Sequence, residues 1–382
     1  MTVEKIISMD LCMNCEACLL TCSKEAIKRR EGSSASNYYV DNSKCVQCGN
    51  CLKVCPSASI ASNNREDETV ATEEEHLLKS CACYASDPSV RERGSSGGYV
   101  RALMKNILKT QFVDGVFTVQ GKYEIGKKKE SSLIEDWEGV EDLSTSIYFP
   151  ISICSGLKEL REKTGRFAFV GKPCDVKALR KLQKENWSVY GKIVLVISIF
   201  CHHTPTSRST EMMIKANELK DKRIKQISYR GNGWPGSISF FDENEHLLKS
   251  IDYPSGWDKY LAPNIPYACK TCNDPYGVWA DISVGDAWPF LKESTAGLSS
   301  VIIRTPVGSS AHESAVVGGD IVEHVKDLPF GRFKQNNLES KKMSANTEIW
   351  RIRIRLTGYK AYFRMFRSRN ISLRSKILLS LK

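Results

Sequence analysis

The middle of the chain alternates between short apolar runs and longer segments with apolar residues at spacings of three and four. The runs predict strands, and the spaced segments predict amphipathic helices. The predicted strands are 112–119, 166–171, 193–200, 224–229, 237–241, 281–284 and 300–304, and the predicted helices are 95–108, 175–182 and 206–219. Because the central strands are apolar on both faces, they are typical of a sheet covered on both sides. The pattern therefore predicts an α/β domain.

The two ends of the chain differ from this middle part. Residues 1–60 are rich in cysteine, and residues 61–80 are rich in Asn, Glu and Asp, which favours a solvated linker. Near the C-terminus, apolar residues recur at helical spacing among arginines. The predicted organisation is a small module at 1–60, a linker at 61–80, the α/β domain at 81–330 and a basic C-terminal helical tail at 331–382.

The net charge of +11 belongs almost entirely to the tail. Residues 351–382 contain ten Lys or Arg and no acidic residue, which leaves 45 basic and 44 acidic residues in the rest of the chain. Such a tail suits an anionic membrane surface or an acidic partner. It equally suits a helix that packs on the domain with its arginines in water. We do not expect nucleic-acid binding, which needs aromatic and basic residues spread over a folded groove.

Cysteine usage indicates the compartment. The N-terminus has no signal-peptide pattern, and the longest apolar run, residues 193–200, is too short to cross a bilayer. Fifteen cysteines without a secretion signal indicate metal ligation in a reducing cytosol rather than disulfides. We expect a cytoplasmic protein, held by its tail at the inner face of the membrane if the tail binds lipid.

Eight of the cysteines form two runs near the N-terminus. The second run has the spacing x2, x2, x3 and ends at Pro56, as in bacterial ferredoxins that hold [4Fe–4S] clusters; the first has the same spacing but ends at Ser23. In such pairs the fourth cysteine of each run ligates the other cluster. One cluster is therefore assigned to Cys12, Cys15, Cys18 and Cys55, and the other to Cys45, Cys48, Cys51 and Cys22. Zinc is the alternative, but it is typically bound by isolated C-x2-C pairs.

The remaining seven cysteines divide into two groups. Three lie in strand or helix patterns and are interpreted as buried small hydrophobic residues: Cys81, Cys83 and Cys154. Of the other four, two follow predicted strands, where ligands of α/β sheets gather, and two form a C-x2-C pair: Cys174, Cys201, Cys269 and Cys272. These four can close a third metal site. Their pattern alone leaves zinc and a third [4Fe–4S] cluster both open.

Several further stretches occur in an informative order. They are Arg93-Gly-Ser-Ser-Gly-Gly98, Phe169-Val-Gly-Lys-Pro-Cys-Asp-Val-Lys-Ala-Leu-Arg180, Ile199-Phe-Cys201, Tyr229-Arg-Gly-Asn-Gly-Trp234, and Cys269-Lys-Thr-Cys-Asn-Asp274 continuing to Ala280-Asp-Ile-Ser-Val-Gly-Asp286. Together with the cysteine module, they resemble the beta subunit of coenzyme F420-reducing hydrogenase and its relatives. The resemblance spans residues 1–330. Relatives usually carry a Gly-Ser-Lys-Tyr loop, whose lysine is missing from residues 143–149 here.

The resemblance implies a fold and a set of cofactors. The fold is an α+β ferredoxin-like dicluster module followed by an α/β flavin-binding domain, with the basic helical tail outside the resemblance. Cys174, Cys201, Cys269 and Cys272 are implied to bind a third [4Fe–4S] cluster with FAD beside it. The implied flavin site is the turn at the start of a helix, together with the end of a later strand: Ser95, Ser96, Gly97, Gly98, Gly285 and Asp286.

The expected function is that of an iron–sulfur flavoprotein oxidoreductase. Electrons would pass between ferredoxin, or another redox protein, and a two-electron acceptor through three clusters and FAD, which converts one-electron into two-electron chemistry. The expected acceptor is coenzyme F420 or another organic substrate. Because the resemblance extends to bacterial relatives associated with surface polysaccharides, a sugar or lipid-linked intermediate is a further candidate acceptor. The alternative is a non-catalytic electron-transfer subunit serving a partner enzyme. Asp286, His202 and His203 are candidate general acids, and no catalytic residue is assigned.

Overall fold

The computed structural model describes residues 2–30, 38–58, 77–127, 129–143, 145–220, 222–272, 274–288 and 296–328. The predicted tail at 331–382 and most of the predicted linker at 61–80 lie outside the described residues. Within the described part of the chain, no helix has both the length and the apolar character needed to cross a bilayer.

The N-terminal module consists of short elements around the two cysteine runs. Its elements are helices α1 (Glu4–Ser8), α2 (Ala17–Thr21) and α3 (Asn50–Lys53) and strands β1 (Ile27–Arg29) and β2 (Tyr38–Val40). The two strands pair in antiparallel fashion, and α2 and α3 carry Cys18 and Cys51 respectively. The buried core is small and packs directly against several of the cysteines. Metal ligation would therefore supply part of the stability of this module.

The remaining elements form two sheets and the helices that cover them. The strands are β3 (Lys79–Ala85), β4 (Gly115–Thr118), β5 (Tyr123–Glu124), β6 (Ser132–Ile134), β7 (Phe167–Gly171), β8 (Ile193–Ile199), β9 (Gln226–Ser228), β10 (Ser237–Phe241), β11 (Leu247–Asp252), β12 (Ile282–Asp286), β13 (Ser299–Ile303) and β14 (Ile321–Val325). The helices are α4 (Pro88–Glu92), α5 (Tyr99–Lys109), α6 (Pro173–Glu185), α7 (Trp187–Tyr190), α8 (Ser207–Ala216), α9 (Tyr253–Gly256), α10 (Tyr267–Lys270) and α11 (Pro306–Val317). Short 3-10 helices lie at Glu138–Asp142 and Cys154–Arg161, and a π-helical turn lies at Trp257–Leu261.

The larger sheet has the strand order β14-β3-β13-β12-β8-β7-β4-β6. Its centre, from β4 through β7 and β8 to β12, is parallel, and the outer pairs are antiparallel. The carboxyl ends of β7, β8 and β12 therefore lie along one edge of the sheet. Because β3 is antiparallel to β13, which is itself antiparallel to β12, β3 ends there too. We call this the carboxyl edge, and it is where ligands of α/β sheets bind.

Helices cover both faces of this sheet, which confirms the predicted α/β class. On one face α5 and α11 pack against alternate strand residues that include Val116 and Val170. On the other face α6 packs against their neighbours, such as Phe117 and Phe169. The predicted strand at 166–171 and helix at 175–182 correspond to β7 and α6, and the helix begins earlier because Pro173 fits its first turn.

A smaller antiparallel sheet has the order β11-β10-β9-β5. It carries its own apolar cluster, which includes Tyr229, Phe240 and Tyr253. The sequence pattern predicts β9 and β10 but misses β5 and β11, and it gives no second sheet. β5 has only two residues, and β11 is mostly exposed with no alternation of apolar and polar residues, so neither has a clear apolar period.

The N-terminal module packs against the face of the large sheet covered by α6. Cys15 and Val54 join the apolar cluster on that face. The backbone N–H of Cys154 donates to the carbonyl of Cys15 at 3.2 Å. The Tyr38 hydroxyl donates to Glu16 at 2.8 Å and lies 3.2 Å from the Ser152 hydroxyl. These contacts place the first cysteine run directly against the α/β domain.

Candidate functional site

The cysteines of the N-terminal module lie in two groups that mix residues from both runs. Burial, followed by the charges of Cys15 and Cys12, raises the pKa of the Cys55 thiol. Burial also raises the pKa of Cys18, whose charged neighbours are Cys15, Cys12, Cys55 and Cys51. Cys55 therefore lies beside the first run although it belongs to the second. This is the grouping that the ferredoxin spacing predicts for one cluster.

The second group lies nearer the surface. Burial raises the pKa of Cys51, and the charges of Cys22 and Cys48 raise it further. Cys22 thus lies beside the loop of the second run. Cys48 is exposed, and its neighbour Val46 is 63% exposed. The group of Cys45, Cys48, Cys51 and Cys22 is therefore the one open to a docking partner, whereas the other group faces the domain.

The four cysteines predicted for a third site also come together. Cys174 lies in the first turn of α6, Cys201 follows β8, Cys269 lies in α10, and Cys272 follows that helix. Burial raises the pKa of Cys201, and the charges of Cys269 and Cys272 raise it further. Burial raises the pKa of Cys272 to about 12, with Cys269 among its neighbours. Three separate segments at the carboxyl edge thus bring four thiols into one group.

A buried ion pair adjoins this third group. Lys172 Nζ lies 2.6 Å from Asp175 Oδ2, and the two side chains are 12% and 0% exposed. Burial alone would lower the pKa of Lys172, but the charges of Asp175 and Cys174 raise it well above its ordinary value. The same lysine charge opposes the raised pKa of the Cys174 thiol. Lys172 therefore stabilises thiolates at this site.

Tyr267 connects the third group to the N-terminal module. It lies in α10, two residues before Cys269. Its side chain and Cys55 pack against the same small cluster of Ile6, Met9 and Leu11. This apolar cluster therefore contacts both Cys55, which belongs to the cysteine group that faces the domain, and Tyr267, which lies beside the third group.

The predicted glycine turn lies at the same carboxyl edge. Ser96 Oγ donates to the Leu298 carbonyl at 2.6 Å, and Ser95 Oγ accepts from the Ser146 N–H at 2.7 Å. A Cβ on Gly97 would lie 2.7 Å from the Cys83 carbonyl, so only glycine lets the turn approach β3. Both serine hydroxyls bond within the protein. The Gly97 N–H also bonds within the protein, to Ser299 Oγ at 3.0 Å. The groups left for a phosphate are thus the other backbone amides of the turn.

A buried arginine joins this turn to Asp286. Arg230 is 1% exposed, and its guanidinium lies 3.2 and 3.3 Å from the two oxygens of Asp286. It also donates to the Ser95 carbonyl and lies 3.9 Å from the ring centroid of Tyr253. Trp234 Nε1 donates to Asp286 at 2.8 Å. Asp286 is thus held as an ion-pair acceptor, which does not suit the role of a general acid.

Sequence reasoning missed Arg230 and Trp234 as site residues. Both lie in the stretch Tyr229 to Trp234 on which the family resemblance rests, and that was the available signal. Of the two candidate histidines, His202 is half-buried directly after Cys201, and His203 is buried with its Nε2 3.3 Å from the Leu261 carbonyl. Burial lowers the pKa of His203 to about 4. His203 is therefore neutral near pH 7 and is not a general acid there.

Phe200 lies between the third cysteine group and the end of β12. It directly precedes Cys201, and its N–H donates to the Val284 carbonyl at 2.7 Å. A Cβ on Gly285 would lie 2.0 Å from the Phe200 ring, so this glycine is required by packing. The cysteine group and the glycine turn are thus separated by one aromatic side chain along the carboxyl edge.

The donor sets fit the groups that the sequence implies. Thiols in three groups of four match the ligand number of [4Fe–4S] clusters. For the flavin, Arg230 Nε is buried without a hydrogen-bond partner among the described residues. A buried cation with one unused N–H, next to a glycine turn, suits a polar edge or phosphate of a flavin nucleotide.

Fold and site together define an iron–sulfur oxidoreductase with a dicluster module joined to an α/β domain. Residues 11–59 match the profile of the 4Fe-4S dicluster domain. Residues 80–158 and 164–327 match the profiles of the N-terminal and C-terminal parts of the coenzyme F420 hydrogenase/dehydrogenase beta subunit. The chain therefore belongs to the family of coenzyme F420 hydrogenase/dehydrogenase beta subunits.

Individual relatives are distant. The chain is 24% identical over 340 residues to a coenzyme F420-dependent sulfite reductase of Methanocaldococcus jannaschii, covering 78% of this chain and 51% of that protein. It is 25% identical over 337 residues to one of the subunits of the F(420)H(2) dehydrogenase of Methanosarcina mazei, covering 85% of this chain and 88% of that one. The chain thus spans about half the length of the sulfite reductase and most of the dehydrogenase polypeptide.

A solved structure shares the fold. It is a chain of the F420-reducing [NiFe] hydrogenase complex from Methanosarcina barkeri, with a TM-score of 0.55 and 20% sequence identity. The likeness covers 72% of this chain and 90% of that chain. At this identity the likeness concerns the fold alone.

Proposed function

We propose that this protein is an iron–sulfur flavoprotein that carries electrons between a one-electron redox protein and a two-electron organic acceptor. The observation that carries the proposal is the order of the three cysteine groups. One is at the surface around Cys48, one lies against the domain at Cys15, and one lies at the carboxyl edge around Cys201. Phe200 and Gly285 lie between the last of these and the glycine turn.

The proposed route enters at the exposed group. Val46 and Cys48 offer a small apolar and accessible surface on which ferredoxin or another redox protein docks. The next group, which includes Cys55, is buried against the domain and is followed by Tyr267 and Cys269. We assign a [4Fe–4S] cluster to each group. Zinc at the third group is disfavoured because the two groups before it would then lead to a redox-inactive ion.

The proposed end of the route is FAD. Bound FAD supplies the exchange between single electrons and a hydride. Backbone amides of the turn at the start of α5, other than that of Gly97, would bind the diphosphate, and Arg230 would bind a polar group through its free Nε. Asp286 and Trp234 hold Arg230 in place through their contacts with each other and with the guanidinium. The Phe200 ring would lie between this site and the third cysteine group, packed against Tyr276 and Gly285.

The proposed acceptor is coenzyme F420 or another two-electron organic substrate, including a sugar or lipid-linked intermediate. The family and the relatives named for F420 support the first choice. Residues 143–149 lack the lysine of the usual loop, yet Ser146 and Tyr148 in this segment contact Ser95 and Arg230. The segment therefore lies beside the proposed flavin site, and its altered sequence supports an acceptor other than F420. The basic tail is proposed to hold the protein at an acidic partner or membrane surface.

An electron-transfer experiment tests the route. Anaerobically prepared protein, loaded with FAD, is mixed with reduced ferredoxin, and the flavin absorbance is followed by stopped flow. We expect rapid flavin reduction. In Cys174→Ser and Cys272→Ser the EPR signals of the N-terminal clusters should persist while flavin reduction is slowed at least ~100-fold. Thr271→Ser is the matched control, because Thr271 is buried between the paired cysteines and serine keeps its hydroxyl bond to Ala268.

The outcomes separate the two functions considered. If the protein contains clusters but no tightly bound FAD, and passes electrons to a partner enzyme, this proposal is wrong and the protein is an electron-transfer subunit. Flavin reduction at the same rate in Cys174→Ser and in the unaltered protein would remove the third group from the route.

A further inference from the structure

Two cysteines outside the three groups lie at the centre of the large sheet. Cys81 and Cys83 are fully buried in β3. Because they are two residues apart in a strand, their side chains project from the same face, the one covered by α5 and α11. The sequence pattern predicts that they are small hydrophobic residues, but polar groups lie around them.

Two further donors complete a group of four. His312 from α11 is 1% exposed, and Glu323 from β14 is directly opposite Cys83 in the strand pairing. The two sulfur atoms are 3.3 Å apart, and His312 Nε2 lies 3.0 Å from Glu323 Oε1. One donor atom from each of the four residues lies within 4.8 Å of all the others. A tetrahedral zinc site has edges of roughly 3.3–3.8 Å, as its metal–ligand distances dictate, so a small contraction closes this group around one ion.

The outer partners match those of a metal site. His312 Nδ1 lies 2.9 Å from the Tyr99 hydroxyl, which leaves Nε2 for a metal. Lys79 forms an ion pair with Glu323. Ligating histidines and carboxylates are usually held in this way by a second hydrogen bond. Two thiolates and one carboxylate carry three negative charges, which one divalent ion and Lys79 balance.

We propose that Cys81, Cys83, His312 and Glu323 bind one zinc ion in a closed structural site. The four protein donors leave no open position for substrate, as in structural zinc sites. A disulfide is not formed, since the 3.3 Å separation of the sulfurs far exceeds an S–S bond of about 2.05 Å. The ion would tie β3, β14 and α11 together. Through Tyr99 it would also fix the start of α5, directly after the glycine turn.

Metal analysis of the full chain tests this site. Protein purified without oxygen, with its iron content measured in the same sample, should contain about one zinc per chain. His312→Gln should lose this zinc while keeping its iron. The matched control is His324→Gln, which alters the neighbouring imidazole that packs beside Tyr84 at a centroid distance of 6.4 Å, and it should keep both metals.

Cobalt substitution covers the case in which the variants do not fold. Unaltered protein produced with Co²⁺ in place of zinc should show thiolate-to-cobalt charge transfer and the strong visible bands of tetrahedral cobalt. The proposal is overturned if iron-replete protein contains no zinc and takes up no thiolate-bound cobalt. Retention of the metal in both His312→Gln and the double variant Cys81→Ser/Cys83→Ser would overturn it equally. In either case the four residues form a hydrogen-bonded network without a metal.

Discussion

The buried pair of Lys172 and Asp175 gives a quantitative test of the third cysteine site. In Lys172→Met the carboxylate of Asp175 stays fully buried and loses its partner at 2.6 Å. Removing one partner of a buried ion pair costs ~3–5 kcal/mol. We expect the lower end, about 3 kcal/mol, because Asp175 Oδ2 still accepts from the Lys172 backbone N–H at 3.1 Å and faces a helix N-terminus.

The double variant Lys172→Met/Asp175→Asn separates charge from packing. It removes both charges and keeps an acceptor for the backbone N–H, so most of the lost stability should return, leaving a deficit of about 1 kcal/mol. The assay is anaerobic thermal unfolding of iron-replete protein followed by circular dichroism. At roughly 2–4 °C per kcal/mol, the single variant should melt about 6–12 °C lower and the double variant about 2–4 °C lower. Lys184→Met, an exposed lysine on the same helix, should have no effect.

Lys172→Met and Asp175→Asn, each made alone, should also move the redox potential of the proposed third cluster in opposite directions. Loss of the Lys172 charge beside Cys174 and Cys201 should lower it, and neutralising Asp175 alone should raise it. EPR-monitored titration measures both shifts. Two results together would refute the reasoning. Lys172→Met and Lys172→Met/Asp175→Asn would be equally destabilised, and Lys172→Met and Asp175→Asn would shift the redox potential in the same direction.

Three further outcomes follow from the geometry. Tyr38→Phe should cost about 1.5–3 kcal/mol of stability, because it removes a buried hydrogen bond to Glu16 at the contact between module and domain. Thermal unfolding measures this loss, and an unchanged melting temperature would argue against that contact. Arg230→Met should release FAD without loss of iron, as flavin fluorescence of the filtrate and an iron assay would show, whereas retained flavin would exclude Arg230 from the site. Cys48→Ser and Cys174→Ser should each lower the iron content by about four per chain, and a loss confined to Cys48→Ser would remove the third cluster.

The sequence predicted those parts of the site whose signal is local. Cys174 and Cys201 could be placed together because each follows an apolar strand, and strand ends converge at one edge of a parallel sheet. That Cys55, from the second run, groups with the cysteines of the first run was predictable from spacing alone. The glycine turn was predictable from the family resemblance, and the structure adds that Gly97 is required by its contact with β3.

The parts that were missed depend on pairings between distant segments. Arg230 is buried by Asp286 and Tyr253, and neither the burial of an arginine nor its distant partner can be read from its own neighbourhood. Cys83 meets Glu323 only through the pairing of β3 with β14, whose register no local pattern fixes. The polar surroundings of a cysteine that looks hydrophobic in sequence are therefore visible only in the folded chain.

The most direct measurement of the central claim is the iron and flavin content of the protein prepared without oxygen. Three cysteine groups that each hold a [4Fe–4S] cluster, next to one flavin site, predict ~12 iron atoms and about one FAD per chain. About eight iron atoms and no flavin would contradict the account. The chain would then carry electrons only through its N-terminal module.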